Sequence, residues 1–150
     1  MKKFFFSLNT VLDYKEQILE NLKTEHARAL LKVRVCEDEI AKLEEEHLLC
    51  SKQLEESRFQ GMTIRKIKTY ENYLEQLGVR IRNKYEELAQ LKEEEQRKRD
   101  EVIEGKKETS MIGKLKEQKQ KEYNVKVQKE EEQFIEEFVS TKRAMAKING

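Results

Sequence analysis

From Leu8 to Ile64 apolar residues recur at alternating steps of four and three: Leu8, Leu12, Leu19, Leu22, Ala29, Val33, Cys36, Ile40, Leu43, Cys50, Leu54, Ile64. Lys15, His26, His47, Ser57 and Gly61 fill the remaining places of the same repeat. A straight α-helix turns every 3.6 residues, so a strict seven-residue repeat keeps facing one partner only when the helices supercoil left-handedly. The pattern therefore predicts helix, and within it a coiled-coil seam. Lys, His, Ser and Gly are weak knobs, so the coil is expected to be of modest stability. Val11, Ile18 and Leu30 widen the stripe in places.

A second run follows through Ile67, Tyr70, Leu74, Leu77, Ile81, Tyr85 or Lys84, Leu88 and Leu91. It blurs through Glu95 and Lys98 to Val102, Ile103 and Ile112, then sharpens as Val127, Glu131, Phe134, Phe138, Thr141, Met145 and Ile148. Between the runs lies Ser57-Arg58-Phe59-Gln60-Gly61-Met62-Thr63. Gly61 suits the left-handed residue that ends a helix, and Thr63 suits the next N-cap. Gly78 and the stretch 105–113 are the other glycine-bearing candidates for a turn, but Gly78 interrupts a good apolar period.

Isolated helices of this polarity are marginal, so the two runs are expected to bury each other. A short connection makes them antiparallel neighbours. The expected fold is all-α, an antiparallel two-helix coiled-coil hairpin. It would form a single coiled-coil domain over 1–150, with helix one at about 8–58, the turn at about 58–64 and helix two at about 64–147. A turn near residue 61 sets Leu8 opposite about residue 114, so the last ~35 residues are expected to protrude or fray.

Composition narrows the picture to the same class. Charged residues make up 41% of the chain and apolar ones 37%, which suits a thin apolar stripe better than a thick globular interior. There is no proline, so nothing forces a kink. Net charge is only +1, and acids and bases alternate at helical spacing, as in Glu94 with Lys98 and Glu95 with Arg99. Such pairs each stabilise an exposed helix by roughly 0.2–0.5 kcal/mol. A nucleic-acid binder would gather basic charge on one face, so no nucleic-acid partner is expected. The apolar run after Lys2-Lys3 ends at Asn9, too short for a secretion signal, and no stretch has the roughly 18 apolar residues of a membrane span. A cytosolic protein is expected.

Catalytic chemistry is not written into this pattern. The glycines at 61, 78, 105, 113 and 150 form no phosphate loop. His47 and Cys50 stand three residues apart, but His26 and Cys36 have no second His or Cys at such spacing, and one pair is only half of a four-ligand set, so no metal site is expected. On one helix the two cysteines stand about 21 Å apart, beyond disulfide reach. The glutamates lack a water-excluding pocket that would make them acid–base catalysts. A non-enzymatic chain with no cofactor and no small-molecule substrate is expected.

The aromatic residues carry more information, because aromatics are enriched at interface hot spots. Phe4, Phe5 and Phe6 cannot all face one helix, so at least one is expected to be available to another protein. Tyr70 and Tyr73 open the second run, and Phe134 with Phe138 lie towards its end. For that last pair, ordinary seam packing is the simpler reading.

The tract Phe6-Ser7-Leu8-Asn9-Thr10-Val11-Leu12, the stretch with Tyr70, Tyr73, Leu74 and Leu77, and Lys114-Leu115-Lys116-Glu117 followed by the glutamates of 130–137 together resemble the flagellar export protein FliJ family. Glu136-Glu137 stands where that family usually has Asp-Glu, with little consequence for charge. The resemblance implies an antiparallel coil similar to the central stalk of rotary ATPases. It implies as partners the flagellar export ATPase hexamer, whose ring the coil enters, the cytosolic domain of the export-gate membrane protein, and export chaperones. It places the chain in the cytoplasm, peripherally associated with the inner membrane through the export apparatus. Under it, Phe4, Phe5, Phe6, Leu8, Phe134 and Phe138 are the expected ATPase contacts. Tyr70, Tyr73 and Leu77 are the expected export-gate contacts. The alternatives are the central stalk of an injectisome or rotary ATPase, and a structural coiled coil that dimerises with itself.

Overall fold

The computed structural model describes residues 2–149 and contains two helices, α1 (Asn9–Gln60) and α2 (Ile64–Asn149). They pack against each other as an all-α antiparallel hairpin. Contacts divide the chain into two units, one made of residues 20–104 and the other of residues 1–19 with 105–150.

In the first unit, pairs across the helices fix the antiparallel sense. Lys98 Nζ meets Glu25 at 3.0 Å, Lys84 Nζ meets Glu39 at 2.6 Å, and Arg58 meets Glu71 at 2.6 Å. Partners rise along α1 as they fall along α2. Val33, Cys36, Ile40 and Leu88 form the buried cluster, with Leu91 packed on it. From residue 20 to 57 the non-exposed positions of α1 are Leu22, His26, Ala29, Leu30, Val33, Cys36, Ile40, Leu43, His47, Cys50, Leu54 and Ser57. That is the predicted four–three seam, with Leu30 widening it.

The chain reverses at residues 61–63. Gly61 has φ 95° and donates its N–H to Arg58 O at 3.3 Å, closing α1. Thr63 Oγ1 accepts the N–H of Lys66 at 3.4 Å, which makes Thr63 the N-cap of α2.

Two details of α2 go beyond the pattern reading, the first at a place it left open between two residues. Lys84, not Tyr85, takes the half-buried inner position: Tyr85 is turned outward, and its hydroxyl donates to Glu44 at 2.5 Å. Lys84 lays its apolar stem along the seam and delivers its ammonium to Glu39 and Glu87, which together hold its pKa above the usual lysine range. The second is the blurred stretch, where the repeat continues without a break on polar residues. Glu95 is buried (6% exposed), and its Oε1 accepts from His26 Nε2 at 2.9 Å and from Arg99 Nη2 at 2.5 Å. Those two bonds, His26 first, hold the Glu95 carboxyl below the ordinary carboxylate range. A buried carboxylate is tolerated only when its oxygens are bonded this way.

In the second unit, Lys116 Nζ donates to Asn9 Oδ1 at 2.8 Å and Lys15 Nζ pairs with Glu108 at 2.9 Å. Leu12 and Phe6 are buried. Residues 2–6 are not helical, yet they extend the cover along α2 as far as Tyr123. An extended chain advances about 3.3 Å per residue against 1.5 Å in a helix, so a few such residues cover roughly twice as many helical ones. The uncovered stretch therefore begins at residue 128, not near 114. Every residue from 128 to 149 is exposed, and all of them remain helical.

Candidate partner-binding surface

Three surfaces hold the aromatic residues singled out above. The first is the amino-terminal segment against α2. Phe6 is its buried anchor (6% exposed), and Asn9 N–H donates to Phe6 O at 3.0 Å, which turns the segment into the first helical turn. The Phe4 ring packs against Tyr123 with centroids 5.6 Å apart and planes tilted by 53°, within the geometry favoured for aromatic pairs. The Tyr123 hydroxyl donates to the Lys2 carbonyl. Phe5 points away and is 83% exposed, while Leu8 is partly exposed beside it. The tract thus splits its three rings: one buried, one stacked and one presented. Tyr123 was missed by motif reasoning, although it stands four residues before Val127 in the four–three repeat.

The second surface is the far part of α2. Phe134, Ile135, Phe138, Met145 and Ile148 are all more than half exposed there. Lys142 Nζ sits 5.6 Å from the Phe138 ring centroid, one helical turn on, in cation–π range. The seam-packing reading of Phe134 and Phe138 is corrected: both rings are more than half exposed, and the contact at Phe138 comes from Lys142 of the same helix. Nor does the structure bring them to Phe4, Phe5 and Phe6. Tyr123, the partner of Phe4, lies eleven residues before Phe134, roughly 16 Å along a helix.

The third surface is the start of α2. Tyr70 is half-buried and Tyr73 is 40% exposed. The Tyr73 hydroxyl donates to Glu46, and that carboxylate raises the phenol pKa. Leu77 is 0% exposed. Its side chain belongs to the hairpin interior, so as a surface contact it is corrected; Tyr70 and Tyr73 carry the exposed face.

The remaining chemistry is subdued. Cys36 and Cys50 are free and buried. Burial pushes the Cys36 thiol pKa up, and its S–H lies 3.6 Å from Lys84 O, which suits a packing residue better than a nucleophile. Among the described residues no group of His, Cys, Asp and Glu could hold a metal ion, and no helix is long and apolar enough to cross a membrane.

No curated protein and no solved structure matches the chain. A family model, that of the flagellar FliJ protein, matches residues 4–146. That span takes in the amino-terminal tract, all of α1 and α2 as far as residue 146; the chain belongs to the flagellar FliJ family and is a flagellar export-related protein.

Proposed function

We propose that this chain is a non-catalytic, stalk-like component of the flagellar type III export apparatus. The uncovered helix, through Phe134 and Phe138, and the presented ring of Phe5 enter and regulate the hexameric export ATPase. The Tyr70 and Tyr73 face contacts the cytosolic domain of the export-gate membrane protein, and export chaperones dock on the same coil. Its place would be the cytoplasmic side of the inner membrane, held there through the apparatus. One observation carries the reading: the seven-residue repeat runs on through Phe134, Phe138, Met145 and Ile148, where every described residue is exposed. Apolar rings at seam spacing are suited to another protein's surface, because exposed aromatic anchors bury well at interfaces.

The test measures hydrolysis by the purified export ATPase with and without the chain. Phe134→Ala with Phe138→Ala removes two exposed rings, the second in contact with Lys142 one turn on, and alanine is a good helix former, so helicity should be unchanged. A rise of at least about thirtyfold in half-saturating concentration is the expected result, the effect of losing about 2 kcal/mol at a hot spot. Full stimulation by this variant would overturn the assignment.

A further inference from the structure

The uncovered helix has a second property that its exposure alone does not require. Its seam places are symmetric about a point between Val139 and Ser140. Reversed about that point, Phe134 meets Met145, Phe138 meets Thr141, and Glu131 meets Ile148. The steps of four and three also reverse onto each other, so first-seam positions face second-seam positions, which is how antiparallel coils layer. Charge follows the same symmetry. Residues 130–137 contain five glutamates and no base, whereas 138–148 contain Lys142, Arg143 and Lys147 and no acid.

We propose that residues 130–148 of one copy pair antiparallel with the same residues of a second copy. A two-fold interface needs a self-complementary patch, and this segment supplies one in both packing and charge. Parallel pairing would set the five glutamates against five glutamates, so the charge pattern selects the antiparallel sense. Phe134 packs against the partner's Met145, and Phe138 against the partner's Thr141. The acidic half of each helix lies along the basic half of the other. The seam has few strong knobs, so the association is weak and concentration-dependent. Self-pairing hides the same two phenylalanines that the ATPase reading employs, so a chain held this way is withheld from any other helix that needs them.

Sedimentation velocity on the full chain, from about 5 to about 500 µM, brackets the affinity range of small interfaces. The expected result is a monomer at the low end and a growing dimer population at the high end. Raising salt from about 0.05 to about 0.5 M should weaken the dimer, because screening shortens the reach of the opposed charges. Lys142→Glu with Arg143→Glu and Lys147→Glu should weaken self-association about tenfold, given the small contribution of each exposed pair. Mixing that variant with Glu130→Lys, Glu132→Lys, Glu136→Lys, Glu137→Lys should restore a mixed dimer. A monomer at every concentration overturns the proposal. So does a dimer that strengthens with salt or ignores the charge reversal. The assay contains no ATPase, so its failure leaves the ATPase reading standing, and the converse holds.

Discussion

Two glycines test the reversal of the chain with the same substitution and opposite expected signs. Gly61 has φ 95°, and a Cβ built there meets nothing within 4 Å. Gly61→Ala is therefore resisted by conformation alone: the left-handed region costs an L-residue about 1–2 kcal/mol. The stiffer unfolded chain returns about 0.4–1 kcal/mol, leaving a net loss of about 0.5–1 kcal/mol. Gly78 lies inside α2, and a Cβ there also meets nothing within 4 Å. Gly78→Ala should stabilise by about 0.5–1 kcal/mol, since glycine in a helix interior is worse than alanine by that much. Both variants are read by thermal unfolding at 222 nm in the same buffer. For a chain of this size the two midpoints should separate by about 3–6 °C, with wild type between them. If Gly61→Ala stabilises and Gly78→Ala destabilises, the reversal lies at Gly78 and the register of every pair described above is wrong.

Two further outcomes concern the interior. Leu77→Ala should cost about 2–3 kcal/mol, the low end for a buried leucine because a two-helix seam collapses readily, while the half-exposed Leu48→Ala should change stability by under about 0.5 kcal/mol; equal effects in chemical denaturation would refute the placement of Leu77. The Glu95 carboxyl, lowered first by His26 and then by Arg99, contributes stability that is fully present above its unfolded value near 4.5 and is lost as pH falls through its lower folded value. Glu95→Gln should thus lower the melting midpoint at pH 7, with the gap to wild type shrinking towards pH 3; a gap independent of pH would show that the carboxylate charge is not the source.

Much of the candidate surface was legible because it sits on a repeat. Phe134 and Phe138 stand at seam spacing, and their rings were recognisable as interface material from residue type alone. A turn near residue 61 already leaves them beyond the end of the first helix; where the cover stops was not legible, since that depends on how far residues 2–6 reach along α2. The same limit applies to Phe4, Phe5 and Phe6: three adjacent rings cannot share one face, yet which is buried depends on where Tyr123 stands. Leu77 stands in the apolar run by its spacing and was an export-gate candidate only through the family resemblance; it lies wholly inside, where the spacing put it.

By itself the sequence determined what local periodicity and backbone preference can determine. The four–three spacing makes α1 a coiled-coil strand with Val33, Cys36 and Ile40 facing inward, and a glycine–threonine pair ends one helix and begins the next. Only the tertiary structure decided which polar residue enters the seam. Lys84 and Tyr85 compete for one place, and the carboxylates of Glu39 and Glu87 settle it in favour of the ammonium. Glu95 is buried because His26 and Arg99 reach it, a condition set by residues 69 positions away and 4 positions away at once. Periodicity reports which side of a helix faces a partner; the partner's own side chains report whether a polar group there is bonded, and that is known only when both are in place.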